Sequence, residues 1–357
     1  MFRAGYIEGM ATDLARPAWR SGSRRPLIWA AWYPAAYDAT VVDKVIGPSG
    51  AELFRMGLVA KNAPLSSVRN RWPVVLLSHG TGGSAQGLCW LGAHLAAKGF
   101  ISIGVSHHGN TAVESYLPEG FLCWWERARD LTVILDLLSK HGPFAERLDL
   151  NNVFASGFSL GGYTVLQLAG AVTSLKLFEE WLITLGENGG GPREFPNLTN
   201  HIPDLNSQST QYRQSIERHS DSYFDPRIKA VVALAPAPPI RSFKSESIAK
   251  IVVPTTIIVG QNDMEAPHKY CALWLKENNP SFQIELLGGD IGHQVFLPEA
   301  TDVGKALEPD ICCDHVGVDR VAIHRFVAAI AETWFNKKLG SKTEIQTGLP
   351  LTLSFPA

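Results

Sequence analysis

Gly157-Phe158-Ser159-Leu160-Gly161 places a serine between two glycines, where the apolar run "NVFASGF" gives way to the helix-like pattern "LGGYTVLQLAGAV". A serine hydroxyl is a weak nucleophile. It becomes effective only beside an imidazole that takes its proton, a carboxylate that orients the imidazole, and N–H groups that receive the oxyanion. G-x-S-x-G is the nucleophile-elbow pattern, a sharp strand-to-helix turn whose small neighbours relieve crowding around the serine. The five residues alone arise by chance in roughly one chain in ten of this length. The partners must therefore be sought elsewhere in the chain.

In a strand–elbow–helix arrangement the acid and then the histidine follow the serine, each on a loop beyond the C-terminal end of a strand. "TTIIVGQNDMEAP" ends an apolar run and offers Asp263, and "IELLGGDIGHQVF" ends the next and offers His293. Asp290 is a rival acid, but its closeness to the histidine in sequence suits it better to capping the loop. The oxyanion donors are expected at the Leu160 N–H and in the loop "SHGTGGS", at Thr81, with Gly80 and Gly82 allowing close backbone approach. That loop has neither a G-K-[ST] ending nor G-x-G-x-x-G spacing, so it does not read as a phosphate cradle. No H-E-x-x-H zinc motif is present, and a serine rather than a carboxylate occupies the nucleophile position. The chemistry expected is acyl transfer without a metal or organic cofactor.

These residues need a scaffold, and the apolar runs supply one. "RPLIWAAWYP" and "WPVVLLSHG" read as strands, joined by an extended connection from Ala35 to Arg71. "GLCWLGAHLAAKGF" reads as a helix stopped by Gly99, "ISIGVSHHG" as a strand and "CWWERARDLTVILDLLSKHG" as a helix. Further strands are expected at "IKAVVALAPA", "IVVPTTIIVG" and "FQIELLGG", and a closing helix at about Val318 to Lys338. Strand–helix alternation predicts an α/β fold with a mostly parallel, doubly wound sheet. Residues 173–225 break the alternation with no strand signal and many Gly, Pro, Asn and Ser, and read as an inserted lid within one domain spanning residues 1–357. Leu177, Phe178, Trp181 and Leu182 are expected on its inner side. Two charged pairs, Arg129 with Asp130 and Asp319 with Arg320, are expected to be structural.

The chain of 357 residues is 45% apolar and 18% charged, the balance of a core-former, and its formal charge of -2 gives no reason to expect nucleic acid as a partner. No stretch reaches the roughly 20 apolar residues of a membrane span, and the first residues lack a leader's apolar core. The expectation is a cytoplasmic protein, or a periplasmic or secreted one if a leader has been removed. The five cysteines form no spaced framework and read as buried thiols, with a bridge from Cys123 to Cys312 or Cys313 as the alternative.

With "LLSHGTGGSAQGLCWLGAHLAAKGF", "GVSHHGNT", "GFSLGG", "DPRIKAVVALAPA" and "GHQVF" in view, the sequence resembles the alpha/beta hydrolase superfamily. Within it the chain is similar to the predicted dienelactone hydrolase group related to platelet-activating-factor acetylhydrolases. The resemblance implies Ser159 as nucleophile, Asp263 as acid, His293 as base, and Thr81 and Leu160 as oxyanion donors. It departs from true dienelactone hydrolases, whose nucleophile is cysteine, so the label carries no substrate. Trp90, Trp124 and Trp125, with His107 and Asn110 beyond a strand end, are candidates to contact a small or medium-sized ester. An amidase, lactonase or acyltransferase would use the same three residues, and a non-catalytic ligand-binding protein is the alternative of another class. The oligomeric state is not legible.

Overall fold

The structure, a computed structural model, describes residues 1–20, 22–186 and 191–339. Ten strands form it: β1 (Arg3–Pro17), β2 (Arg24–Ala35), β3 (Val42–Ile46), β4 (Phe54–Lys61), β5 (Trp72–Ser78), β6 (Ile101–Ser106), β7 (Leu148–Phe158), β8 (Ile228–Leu234), β9 (Thr255–Gly260) and β10 (Gln283–Leu287). They pair in the order β10-β9-β8-β7-β5-β6-β2-β1-β4-β3. The six strands from β10 to β6 run parallel. β5, β6 and β9 are buried at every position, as a sheet covered on both faces requires.

The parallel half follows the expected alternation. Helix Cys89–Ala97 packs with the C-terminal helix Arg320–Asn336, and helix Glu126–Lys140 packs with helix Leu160–Leu168. From β5 the chain crosses to β6 on one side, and β7 then returns to β5's other side. This reversal opens a crevice beyond the C-terminal ends of β5 and β7, where open α/β sheets hold their ligands. The His79 loop and Ser159 leave the sheet at that place.

The other four strands, β2, β1, β4 and β3, depart from expectation. β1 lies along β2 from Arg3↔Ala35 to Pro17↔Arg24, and the stretch read as an extended connection holds β3 and β4. Both of those strands are half exposed, so their patterns lack the continuous apolar run that revealed β5. Residues 173–225 contain no strand among the described residues; they fold into helices Leu175–Thr184, Ile202–Gln208 and Thr210–Glu217, while residues 187–190 of this segment lie outside the described ones. All five cysteines are unbridged, four buried and Cys313 exposed, so the Cys123 bridge does not form. Among the described residues no helix is long and apolar enough to cross a membrane.

Candidate active site

Ser159 stands between β7 and helix Leu160–Leu168 with φ 56° and ψ −118°, a region an L residue occupies only under constraint. Four hydrogen bonds hold it there: its N–H donates to Leu234 O (2.9 Å), and its carbonyl accepts from Gly162 N (2.8 Å), Ala237 N (3.1 Å) and Tyr163 N (3.3 Å). The flanking glycines are sterically required. A Cβ on Gly161 would lie 1.9 Å from Ser78 O, one on Gly157 2.1 Å from Gly161 O, and one on Gly162 2.8 Å from the Pro236 Cα. The turn can thus press against β5 and β8 only without side chains at these positions.

The loops after β9 and β10 bring the other two residues to the serine. His293 Nε2 is 2.9 Å from Ser159 Oγ, and His293 Nδ1 is 2.7 Å from Asp263 Oδ2. An ionised carboxylate only accepts, so Nδ1 carries the proton and Nε2 is free to accept from the serine hydroxyl. Asp263 Oδ1 accepts from the N–H groups of Glu265 (3.0 Å) and Ala266 (2.6 Å), which locks its orientation. The two loops are tied together by Gln261 N to Leu287 O and Asn262 N to Ile291 O. Asp290, the rival acid, is exposed and pairs with His315 instead.

Leu160 opens its helix, so its N–H has no intrahelical acceptor. The Gly80 backbone abuts the serine: a Cβ there would lie 3.3 Å from Ser159 Cβ. His79 Nε2 accepts from His107 N–H (3.1 Å), so its proton sits on Nδ1, which donates to Gly80 O (2.6 Å). In a trans peptide the N–H points opposite to the carbonyl, so the Thr81 N–H is turned away from the His79 ring. Asn110 Oδ1 accepts from Gly82 N (2.7 Å), and Thr111 Oγ1 donates to Gly83 O (2.8 Å), pinning the rest of the loop.

Overlaid on the whole chain, a ferulic acid esterase from Streptomyces cinnamoneus matches with a TM-score of 0.62, covering 97% of this chain and 94% of its own at 16% identity. Residues 54–121 match the family model of platelet-activating factor acetylhydrolase, isoform II. The chain has the alpha/beta hydrolase fold, and its residues 54–121 are similar to that family. Comparison with curated proteins finds no match.

In this fold Ser159, Leu160, Gly80, Thr81, Gly82, Asn110 and His293 border one cavity of about 1920 Å³. Trp124 and Trp125 line it too, as do Phe178, Trp181 and Leu182 of the 173–225 segment. Leu177 does not: it points outward. Two further candidates lie elsewhere. Trp90 donates to Phe296 O (3.0 Å) and stacks on His324, buttressing the turn that begins at His293 rather than the cavity wall. His107 is buried behind the loop, with Nε2 3.0 Å from Ser78 Oγ and Nδ1 3.0 Å from Asp130 Oδ2.

Asp130 is the hub of a buried charge cluster that no local pattern announces. It binds Arg25 through two nitrogens (2.8 and 3.0 Å) and Arg16 (2.5 Å), as well as His107. Burial alone would raise its carboxyl, but the two guanidinium groups outweigh burial and hold it well below the usual range. Burial, aided by the Arg127 charge, pushes His107 down to about 3 and lowers His79 as well, so both rings stay neutral. Asp130 therefore pairs with Arg25 and Arg16, not with its neighbour Arg129. Likewise Asp319 caps its helix by accepting from Ala322 N, while Arg320 binds Asp314. The sequence reading also passed over Glu265, two residues beyond Asp263, which lies on the cavity wall.

Proposed function

We propose that the protein is a serine-type carboxylic ester hydrolase working through an acyl-enzyme on Ser159. The carrying observation is the relay from Asp263 Oδ2 through His293 to Ser159 Oγ, with steps of 2.7 and 2.9 Å. In this reading Ser159 Oγ attacks the ester carbonyl while His293 Nε2 takes its proton, and Asp263 stabilises the imidazolium. The Leu160 and Thr81 N–H groups receive the oxyanion. His293 then protonates the departing alkoxide, and a water repeats the sequence in reverse to free the acid. The scheme calls on no cofactor.

The domain is read as one hydrolase unit with residues 173–225 as its lid. Part of the cavity wall is aromatic: Trp124 and Phe178 both line it, 5.4 Å apart centroid to centroid. It suits the acyl part of a small or medium-sized ester. Initial rates on p-nitrophenyl esters from acetyl to dodecanoyl, with Ser159→Ala alongside, test the reading. A chain-length optimum that vanishes in the variant is expected. Rates equal to the variant's across the series would favour a ligand-binding protein on this fold.

A further inference from the structure

Glu265 leaves Asp263 along the same loop, donating its own N–H to Asp263 Oδ1, and its carboxylate returns over the histidine. Its Oε2 lies 3.8 Å from His293 Nε2, and its Oε1 accepts from Gln294 Nε2 at 2.5 Å. The side chain is half exposed and borders the cavity beside Ser159.

His293 Nε2 is the atom that must hand a proton to the departing oxygen of an ester, at a hydrogen-bond distance of about 3 Å. With Glu265 Oε2 3.8 Å from that atom, the departing oxygen lies within roughly 7 Å of the carboxylate. A substituent two carbons along the alcohol reaches it.

The cavity's two lysine or arginine side chains are engaged elsewhere. Arg193 pairs with Glu194 (3.2 Å) and Glu308 (3.8 Å), and Lys44 sits over the Tyr6 ring at 5.6 Å. Among the described residues no lysine or arginine pairs with Glu265. A carboxylate without a cationic partner, next to the proton-transfer atom, is complementary to a cation carried by the substrate.

We propose that Glu265 is a specificity-determining residue for the leaving group, selecting esters whose alcohol carries an ammonium group about two carbons from the ester oxygen. This rests on the esterase reading of Ser159. Any effect of the charge on His293 itself acts on every ester alike and cancels between substrates.

The test compares kcat/KM for 2-(dimethylamino)ethyl acetate, protonated at pH 7, with its uncharged isostere 3-methylbutyl acetate, in wild type, Glu265→Gln and Glu265→Lys, with Ser159→Ala as blank. The wild type should prefer the cation by about two- to five-fold, as suits a half-exposed charge pair. Glu265→Gln should bring the ratio near one, and Glu265→Lys should reverse it. Within each variant the ratio removes any general loss of activity. Equal ratios in wild type and Glu265→Gln would overturn the inference while leaving the esterase intact. Turnover of neither ester above the blank would overturn both.

Discussion

His79 and Gly80 are neighbours in sequence and also hydrogen-bonded, the His79 Nδ1–H donating to the Gly80 carbonyl at 2.6 Å. The same ring accepts the His107 N–H, so one neutral imidazole ties the loop after β5 to the end of β6. The peptide it holds by its oxygen carries the Thr81 N–H at its other end. His79 is thus a positioning residue for the proposed oxyanion site.

His79→Ala should lower kcat on p-nitrophenyl acetate by about ten- to hundred-fold, less than the 10²–10³ typical of deleting an oxyanion donor outright. KM should change by less than about three-fold. Steady-state kinetics alongside a thermal melt check this; an unchanged kcat in a folded variant would separate the loop from the reaction.

Asp263→Asn should cut kcat by roughly three to four orders of magnitude. The amide can no longer enforce the Nδ1–H tautomer of His293, nor offset the imidazolium. The Glu265 and Ala266 N–H groups can still bond the remaining oxygen, so far-ultraviolet circular dichroism should match wild type. Loss of fold together with activity would instead make Asp263 a structural anchor.

Gly161→Ala should destabilise the protein by about 3 kcal/mol or prevent its folding, because the new methyl meets Ser78 O at 1.9 Å. Urea denaturation measures the cost. A variant as stable as wild type would mean that the elbow can back away from β5.

His107 ties stability to pH. Its pKa, about 3 when folded through burial and the Arg127 charge, returns to about 6.5 on unfolding. Between these values the unfolded chain binds the extra proton, so stability falls as pH drops from 6.5 towards 3, by at most about 1.4 kcal/mol per unit. His79 contributes with the same sign. His107→Gln should be about 2 kcal/mol less stable at pH 7.5, for lost bonds to Asp130 and Ser78, yet show a shallower decline between pH 7.5 and 5. Parallel declines in both proteins, measured by urea denaturation, would count against it.

The parallel half of the sheet was legible because a strand buried on both faces is mostly apolar, and β5, β6 and β9 are buried at every position while β8 is buried at all but Lys229. β1, β3 and β4 mix exposed and partly covered positions without a continuous apolar run, and their partners are chosen by register at a distance, so no short stretch shows them. Trp90 illustrates the same limit in a side chain. Its place near the loops was readable, but its direction depends on His324, brought beside it by the C-terminal helix.

What the chain determines by itself is what local spacing can encode: the glycine-flanked turn at Ser159, the strand–helix alternation around it, and the order of Ser159, Asp263 and His293. Tertiary structure alone decided the rest, since ion pairs and cavity walls are made between residues far apart in sequence. Arg16 meets Asp130 across 114 positions, and Glu265 comes to His293 Nε2 only because the loops after β9 and β10 emerge from adjacent parallel strands. A carboxylate's number in the chain does not say which charge it will face; the fold that buries it does.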